Sequence, residues 1–277
     1  MFINNSDVHN MILFPNAKIN IGLNILSRRE DGFHNLETIF YPIAIKDALE
    51  VVEADQLRFT SSGLEIPGDS TDNLCLKAYY LLSKDYKLPP VHIHLHKHIP
   101  IGAGLGGGSA DASFFIRLMN EKFELGMDAS QMEAYASKLG SDCAFFIQNK
   151  PALAVGKGDQ LHAIEVDLSK YFIMLVMPKV QVSTSDAYKG IRPAAMVNSL
   201  ADLIKLPIDA WKLAIKNDFE PSVFLQYPII AEIKSKLYTS GALYACMSGS
   251  GSSVFGIFEK ELKLPDLEHD NKVFYGV

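Results

Sequence analysis

The sequence is poor in cysteine, and its few cysteines are badly placed for cross-links or metal binding. Cys75, Cys143 and Cys246 are odd in number, lie far apart and form no C-x-x-C pair. A disulfide framework needs pairs of cysteines, and a zinc knuckle needs them at close spacing. The sequence therefore argues against a disulfide-linked domain and against a zinc-binding domain, and it indicates a protein of the reducing cytosol.

Long apolar runs and a leader pattern are also missing. No stretch approaches the roughly 18 uninterrupted apolar residues of a membrane span, and residues 1–10 lack the pattern of a signal peptide. We expect a soluble, cytoplasmic protein with no membrane partner. Met11 directly precedes an apolar segment, so residues 1–10 are either a loose extension or an upstream start.

An excess of positive charge is absent as well. The chain has 26 Lys and Arg residues against 32 Asp and Glu residues, which gives a formal net charge of -6. Proteins that bind nucleic acid through its phosphates carry a basic surface instead. We therefore expect no nucleic-acid partner, although a locally basic pocket stays possible.

The sequence does contain enough apolar material for a large core. Of its 277 residues, 48% are hydrophobic and 21% are charged, as in ordinary globular proteins. At about 100–200 residues per domain, this length predicts two modest domains or one large one. Because the stretch 167–170 is polar, we predict one domain over residues 1–166 and another over residues 167–277.

Strand and helix patterns occur in both halves of the chain. Period-two alternation predicts a strand over 18–26, followed by a turn at Asp31 and Gly32 and a returning strand, in a β-meander over 12–54. The other predictions are helices at 74–82 (capped by Thr71 or Asp72), 110–119, 130–139, 185–190, 198–217 and 228–239, strands at 91–95, 172–177, 242–247, 253–258 and 272–275, and a hairpin over 151–162. Since regular strand and helix alternation is lacking, the predicted fold class is α+β.

The densest glycine cluster lies between a predicted strand and a predicted helix. After Pro100, residues 101–109 read Ile-Gly-Ala-Gly-Leu-Gly-Gly-Gly-Ser. Glycines allow backbone N–H groups to curl around phosphate oxygens, and the following helix adds the positive end of its dipole. We interpret this segment as a phosphate-binding loop; the alternative is a flexible surface linker.

Two standard nucleotide motifs fit this loop poorly. The segment 102–107 satisfies the dinucleotide pattern G-x-G-x-x-G, but Glu121 and Glu124 lie at the end of the predicted helix and not after a second strand. No G-K-[ST] triplet follows the glycines, which argues against a Walker A loop. A dinucleotide-dependent oxidoreductase is therefore the least favoured alternative.

Several motifs resemble those of one kinase family. The segment 100–109 resembles the phosphate loop of the GHMP kinases, which include galactokinase, homoserine kinase, mevalonate kinase and phosphomevalonate kinase. Within this family, 15–23 and 29–36 resemble the P-A-K-[IL]-N-L-x-L and [KR]-x-D-G-[YF]-H-x-[IL] signatures of the 4-diphosphocytidyl-2-C-methyl-D-erythritol kinases. Further matches lie at 139–146, 156–159 and 248–255, so the resemblance covers nearly the whole chain.

The resemblance implies a fold and an activity. The expected α+β fold has an N-terminal ribosomal-protein-S5-domain-2-like domain and a C-terminal ferredoxin-like domain, with the active site in the cleft between them. The expected reaction uses ATP and Mg²⁺ to phosphorylate the 2-hydroxyl of a methylerythritol that carries cytidine diphosphate, in non-mevalonate isoprenoid biosynthesis. The expected oligomeric state is a monomer or weak homodimer.

The resemblance also implies roles for individual residues. Asp142 is expected to be the base for the acceptor hydroxyl, with Lys18 as its electrostatic partner. From the residues alone, Asp142 as a helix cap and Lys18 as a solvated strand lysine stay open. No residue is assigned as a direct metal ligand. The expected ATP-binding residues are Pro100, Gly102, Gly104, Leu105, Gly106, Gly107, Gly108 and Ser109.

A second set is expected to bind the substrate. His34 resembles a histidine that reads the cytosine edge, and Tyr188 aligns with an aromatic residue that stacks on the base. Phe33 replaces a common tyrosine and keeps its ring without the hydroxyl. The other members are Asn20, on the strand face that also carries Lys18, and Gly249 and Ser250 in the last glycine-rich motif.

Some residues depart from the family pattern. Ala110 replaces a common serine, so a hydroxyl near the phosphates or Mg²⁺ is missing, and Cys143 and Ala144 replace Val and Pro after the expected base. Two alternatives are kept beside this family: another GHMP kinase of the mevalonate or homoserine type, against which the turn at 31–34 argues, and a catalytically silent nucleotide-binding protein, against which Lys18 and Asp142 argue.

Alternating histidines raise the separate question of a metal site. His92, His94, His96 and His98 have the H-x-H spacing that places imidazoles on one side of a strand, but no carboxylate or cysteine lies at ligand spacing. We expect a partly exposed sheet face there instead of a metal centre. Whether the neighbouring Lys97 contacts the ATP phosphates is left open.

Overall fold

Strands and helices are mixed along the whole described chain. The structure is a computed structural model that describes residues 11–194 and 196–277, so the question of an N-terminal extension lies outside it. The strands are β1 (Met11–Leu13), β2 (Asn16–Arg28), β3 (His34–Lys46), β4 (Ala48–Glu53), β5 (Arg58–Gly63), β6 (Val91–Lys97), β7 (Ala152–Val155), β8 (Gln160–Ala163), β9 (Phe172–Pro178), β10 (Tyr244–Met247), β11 (Val254–Phe258) and β12 (Asn271–Tyr275). The helices are α1 (Leu74–Leu82), α2 (Gly107–Lys122), α3 (Ala129–Ala136), α4 (Phe145–Gln148), α5 (Thr184–Lys189), α6 (Leu200–Leu203), α7 (Trp211–Ala214), α8 (Glu220–Gln226), α9 (Pro228–Thr239) and α10 (Pro265–Glu268), with 3₁₀ turns at Ser70–Asp72 and Ile208–Ala210.

Two compact units are interleaved along the sequence. Of the described residues, unit 1 comprises 11–16, Lys46–Ile99 and Gly107–Gln148. Unit 2 comprises Ala17–Ile45, Pro100–Gly106 and Asn149–Val277. The predicted domain boundary between residues 166 and 167 stays a prediction.

Unit 1 is a four-stranded sheet with helices. The strand order is β1-β4-β6-β5, and all neighbouring strands are antiparallel except the parallel pair of β5 and β6. The helix that follows the glycine loop, α2, contacts α1, α3, α4 and β4. Its side chains Phe115, Ile116 and Leu118 are fully buried. The predicted phosphate-loop helix is therefore the central helix of unit 1.

Unit 2 contains two four-stranded sheets, with strand orders β2-β3-β7-β8 and β10-β11-β9-β12. Helix α9 contacts β9, β10 and β11, and its residues Ile230, Ile233 and Leu237 are buried in the core of this unit. Strand β2 is buried on both faces, because its polar residues are as inaccessible as Ile19 and Ile21. This double burial places polar site residues inside unit 2.

Four sequence predictions need correction. Helix α1 is capped by Asn73, whose Oδ1 accepts from the Cys75 N–H (2.9 Å), and not by Thr71 or Asp72. The region 12–54 is not one meander, since β1 pairs with β4 in unit 1 whereas β2 and β3 are neighbours in a sheet of unit 2. The single helix expected over 198–217 is two short helices and a 3₁₀ turn, interrupted at Pro207, which has no N–H to donate. Helix α2 starts at Gly107, three residues before the predicted start at 110.

Candidate active site

The first half of the glycine loop lies within unit 2 and is pinned by backbone hydrogen bonds. The Lys18 N–H donates to the Leu105 carbonyl (3.0 Å), and the Ser253 N–H donates to the Ala103 carbonyl (3.3 Å). Gly104 has a φ of 76°, and a Cβ atom there would strike the carbonyl oxygen of Ser248. Glycine is therefore required at position 104 both by the backbone conformation and by the close approach of a second segment.

Lys18 is a buried cation beside this loop. Its exposed fraction is 3%, and its Nζ donates to Asn20 Oδ1 (2.6 Å) and to the Gly104 carbonyl (3.1 Å). The ammonium also lies 5.0 Å from the centroid of the Phe40 ring. The expectation that Lys18 and Asn20 share one strand face is confirmed, and the alternative of a solvated strand lysine is wrong.

Asn20 connects Lys18 with the last glycine-rich motif. Its Nδ2 donates to Thr38 Oγ1 (2.9 Å), and its backbone N–H donates to Ser248 Oγ (3.2 Å). The Ser248 hydroxyl in turn donates to the Gly104 carbonyl (2.8 Å). A Cβ atom on Gly249 would lie 3.3 Å from Asn20 Oδ1. Three motifs that are far apart in sequence therefore meet within unit 2.

Asn217 supports the last glycine-rich motif and was missed by the sequence analysis. Its Nδ2 donates to the carbonyls of Met247 and Gly249, each at 2.8 Å, and its Oδ1 accepts from the Phe219 N–H (2.9 Å). The side chain is buried, with 2% exposed. A single asparagine carries no sequence signal, because the two carbonyls to which it donates lie about 30 positions away in sequence.

Replacing Asn217 by alanine is expected to lower the free energy of unfolding by about 2–4 kcal/mol, because two buried carbonyls and one N–H lose their partner. The catalytic efficiency kcat/KM should fall roughly tenfold as the 247–249 segment shifts. Urea unfolding and steady-state kinetics measure both effects. The exposed Asn198 supplies the control Asn198→Ala; equal losses in the two variants would contradict the supporting role.

Unit 1 holds the second half of the glycine loop as the start of α2. A Cβ atom on Gly107 would lie 2.9 Å from Ile99 Cγ2 and 3.0 Å from Lys97 Nζ, so this position is tightly enclosed. The first N–H groups of a helix have no intrahelical partner. In this 16-residue helix they belong to Gly107, Gly108 and Ser109 among others. Ala110 is fully buried, so its side chain packs in the interior.

Asp142 lies in unit 1, in the turn between α3 and α4. It is half-buried, and its Oδ1 accepts from Ser141 Oγ (3.3 Å). Ser113 Oγ of α2 lies 2.6 Å from the Cys143 carbonyl, to which it donates. The turn that carries Asp142 is thus tied to the phosphate-loop helix within unit 1. Asp142 and Lys18 belong to different units, and their pairing stays a prediction.

The predicted base-recognition residues meet in unit 2. The His34 and Tyr188 rings are stacked, with centroids 4.8 Å apart and planes at 19°, and Tyr188 also packs edge-on against Phe219. Phe33 is 59% exposed, and Lys157 Nζ lies 5.3 Å from its ring centroid. The hydroxyls of Ser250 and Thr184 are 3.2 Å apart. Tyr188, which the sequence alignment assigned to the same site as His34, is therefore a direct neighbour of His34 in unit 2.

The histidine strand forms a ladder with two hydroxyls. Thr60 Oγ1 lies 2.8 Å from both His92 Nε2 and His94 Nδ1, and Ser62 Oγ lies 3.1 Å from His94 Nε2 and 3.0 Å from His96 Nδ1. Each hydroxyl can donate to one ring and accept from the other. Within residues 11–194 and 196–277, no group of three or more His, Cys, Asp or Glu side chains is arranged to hold a metal ion.

The helices of the described chain also bear on membrane insertion. In the parts of the chain that the structure covers, none of them is both long enough and apolar enough to cross a bilayer.

Two family models match the chain. The model described as GHMP kinases N terminal domain matches residues 73–150, and the one described as GHMP kinases C terminal matches residues 199–272.

Relatives of known name are similar over nearly their whole length. The chain is 53% identical over 264 residues to 4-diphosphocytidyl-2-C-methyl-D-erythritol kinase of Bacteroides fragilis, which covers 94% of this chain and 96% of that one. The enzyme of the same name from Cytophaga hutchinsonii is 53% identical over 262 residues, with coverage of 94% and 96%. The one from Porphyromonas gingivalis is 44% identical over 258 residues, with coverage of 92% and 94%.

Solved structures show the same architecture. A crystal structure of 4-(cytidine 5'-diphospho)-2C-methyl-D-erythritol kinase superposes with a TM-score of 0.79 at 29% identity, covering 96% of this chain and 98% of that one. Homoserine kinase from Cytophaga hutchinsonii superposes with a TM-score of 0.71 at 15% identity, covering 100% and 97%. At that identity, the second likeness shows the fold alone.

Proposed function

The chain belongs to the 4-diphosphocytidyl-2-C-methyl-D-erythritol kinases of the GHMP kinase family, and from this we propose how its residues transfer the phosphoryl group. It is an ATP-dependent small-molecule kinase of isoprenoid precursor biosynthesis by the methylerythritol phosphate pathway. It phosphorylates the 2-hydroxyl of 4-diphosphocytidyl-2-C-methyl-D-erythritol and releases ADP. Mevalonate and homoserine kinases share the fold, but no observation supports mevalonate or homoserine as the substrate of this chain.

One observation carries the assignment of the site. The buried ammonium of Lys18, the backbone of Gly104 and the hydroxyl of Ser248 come together in unit 2, although 230 positions separate the first from the last in sequence. Phosphoryl transfer asks a protein mainly for positioned donors and positive charge, supplied where little water enters. A cation held at 3% exposure beside a glycine loop meets that requirement.

ATP is proposed to bind its phosphates on the backbone donors of the glycine loop. The residues fit this group, because the 16-residue helix α2 starts with two glycines and a serine, and the first N–H groups of a helix have no intrahelical partner. The proposed phosphate contacts are Pro100, Gly102, Gly104, Leu105, Gly106, Gly107, Gly108 and Ser109. We propose that Mg²⁺ arrives with ATP, where it would neutralise charge on the phosphates.

Asp142 is proposed to accept the proton of the acceptor hydroxyl. As the hydroxyl oxygen forms its bond to the γ-phosphorus, the bond from that phosphorus to the bridging oxygen of ADP breaks, and the proton moves to the Asp142 carboxylate. The Lys18 ammonium is proposed to be the electrostatic partner of Asp142 and to polarise the hydroxyl. In this proposal Asp142 accepts the proton, and Lys18 polarises the hydroxyl that gives it up.

His34 and Tyr188 are proposed to recognise the cytosine of the substrate, the histidine at its polar edge and the tyrosine through its ring face. Their stacked rings in unit 2 support this assignment. Phe33, Asn20, Gly249 and Ser250 complete the proposed substrate site. We also propose a cytoplasmic monomer or weak homodimer without nucleic-acid or membrane partners, and a domain boundary between residues 166 and 167.

The function is tested by coupled ADP release with Mg-ATP and four acceptors: 4-diphosphocytidyl-2-C-methyl-D-erythritol, mevalonate, homoserine and galactose. Turnover is expected with the cytidylylated acceptor only. The same assay with His34→Ala should show a KM for this acceptor raised roughly tenfold and an unchanged KM for ATP, because a base-edge hydrogen bond is lost.

Two results would change the proposal. Turnover with one of the other alcohols would be consistent with the GHMP kinase family but would refute the proposed substrate. An equal rise of both KM values in His34→Ala would show that His34 supports the fold and does not read the base.

A further inference from the structure

A buried ion cluster lies directly behind the start of α2. Lys97 Nζ lies 2.5 Å from Asp47 Oδ2 and 2.6 Å from Asp111 Oδ2. The side chains of all three residues are 96% or more buried. Asp47 follows β3, Lys97 ends β6 and Asp111 is on the second turn of α2. The cluster therefore joins the residue before β4, the end of β6 and helix α2, all within unit 1.

This cluster fixes both ends of the phosphate loop. Asp47 Oδ1 accepts from the backbone N–H groups of His98 (2.6 Å) and Ile99 (2.8 Å), the last residues before Pro100. At the other end, Lys97 Nζ lies 3.0 Å from where a Cβ atom on Gly107 would be. The strand that enters the loop and the helix that leaves it are thus held by the same charged side chains.

The charges in the cluster do not balance if both carboxyls are ionised. One ammonium faces two carboxyl groups, and Asp111 Oδ1 has no hydrogen-bond partner among the described residues. An uncompensated buried charge is strongly unfavourable. The negative charge of the neighbouring Asp47 adds to the cost of ionising Asp111.

Other groups around Asp111 do not compensate it. The titratable groups that face it are Lys97, Asp47 and the buried thiol of Cys75 on α1. Burial, and then the nearby Asp47, raise the pKa of Asp111 to about 8, although Lys97 lowers it. Burial likewise raises the pKa of the Cys75 thiol well above its usual range, so this thiol adds no charge at neutral pH.

We propose that Asp111 is a positioning residue for the phosphate loop, which it holds in place by keeping one proton on the buried Asp47–Lys97–Asp111 cluster. With that proton the cluster is neutral, and Lys97 and Asp47 bind the end of β6 and the start of α2 together. When the proton is lost, an unpaired negative charge appears behind the helix terminus that meets the ATP phosphates. The proposal rests on the proposed function, because it takes ATP to bind at the start of α2.

The cluster makes two quantities depend on pH. Asp111 keeps its proton to about pH 8 in the folded protein, whereas an unfolded aspartate loses it near pH 4. Folding stability should therefore decrease as pH rises between these values. Above about pH 8 the folded protein loses the proton as well, and the KM for ATP should rise because the negative charge behind the start of α2 repels the ATP phosphates.

The test compares the protein with Asp111→Asn, which has the shape of the protonated acid and cannot ionise. The KM for ATP and the melting temperature are measured from pH 6 to pH 9.5. From pH 7 to pH 9.5, the KM for ATP of the wild-type protein should increase roughly threefold or more. The KM for ATP of Asp111→Asn should not change with pH over this range. The control is Glu121→Gln, an exposed carboxylate on the same helix, which should keep the unchanged protein's profile.

A second measurement does not depend on activity or on the folding of the variant. Infrared difference spectra of ¹³C-aspartate-labelled protein should show one carboxylic acid that ionises near pH 8. Complete ionisation of all aspartates by pH 6, or an Asp111→Asn profile identical to that of the unchanged protein, would overturn the proposal. Failure of the proposed kinase function would leave the infrared result standing, so the two failures are distinguishable.

Discussion

Replacing Asp142 by asparagine is expected to lower kcat by about 10³-fold, because general-base catalysis typically contributes 10²–10⁴-fold. Asparagine has nearly the same shape and cannot accept the hydroxyl proton. The side chain is half-buried in a turn that is tied to α2 through the Cys143 carbonyl, so the fold should be retained. Binding of ATP, measured by calorimetry, should change by less than about twofold, since substrate binding does not require the proton transfer.

The control for this variant is Asp55→Asn, at an exposed aspartate between β4 and β5. It should retain full activity. If Asp142→Asn kept more than a tenth of the turnover, another group would have to be the base. If the unchanged protein bound ATP and its acceptor without turnover, the alternative of a catalytically silent binding protein would be favoured.

Lys18→Met is expected to lower kcat/KM by roughly 10²–10³-fold, the usual effect of removing one positioned donor from a water-poor site. Methionine keeps much of the volume but no hydrogen-bond donor. Asn20 Oδ1 and the Gly104 carbonyl would lose the ammonium that now lies 2.6 Å and 3.1 Å away. The free energy of unfolding should therefore also fall, by about 1–3 kcal/mol. Steady-state kinetics and urea unfolding measure the two effects.

A double variant separates a catalytic role of Lys18 from a structural one. If Lys18 acts through Asp142, the variant with both substitutions should be about as slow as Asp142→Asn alone, because residues that act as a unit are not additive. Independent, multiplied losses would refute the pairing. Lys46→Met, at an exposed lysine that ends β3, is the matched control and should be fully active.

Local patterns predicted local features well. The period of two in β2 placed Lys18 and Asn20 on one face, and the structure joins them by a hydrogen bond of 2.6 Å. The glycine cluster between a strand and a helix is confirmed as the link between β6 and α2. Patterning failed where partners are distant: it did not show that β1 pairs with β4 instead of β2, because strand pairing depends on long-range packing.

The sequence by itself determined the family and the reaction and predicted most of the candidate site residues, because glycines, a lysine and an aspartate in fixed local order carry that information. The tertiary structure alone decided which of these residues are buried and what holds them. Asn217, Asp47 and Asp111 have no motif, yet they support the two glycine-rich segments. These residues are important because a polar group without a partner is costly in an interior of low dielectric constant. That interior exists only after distant segments have packed together.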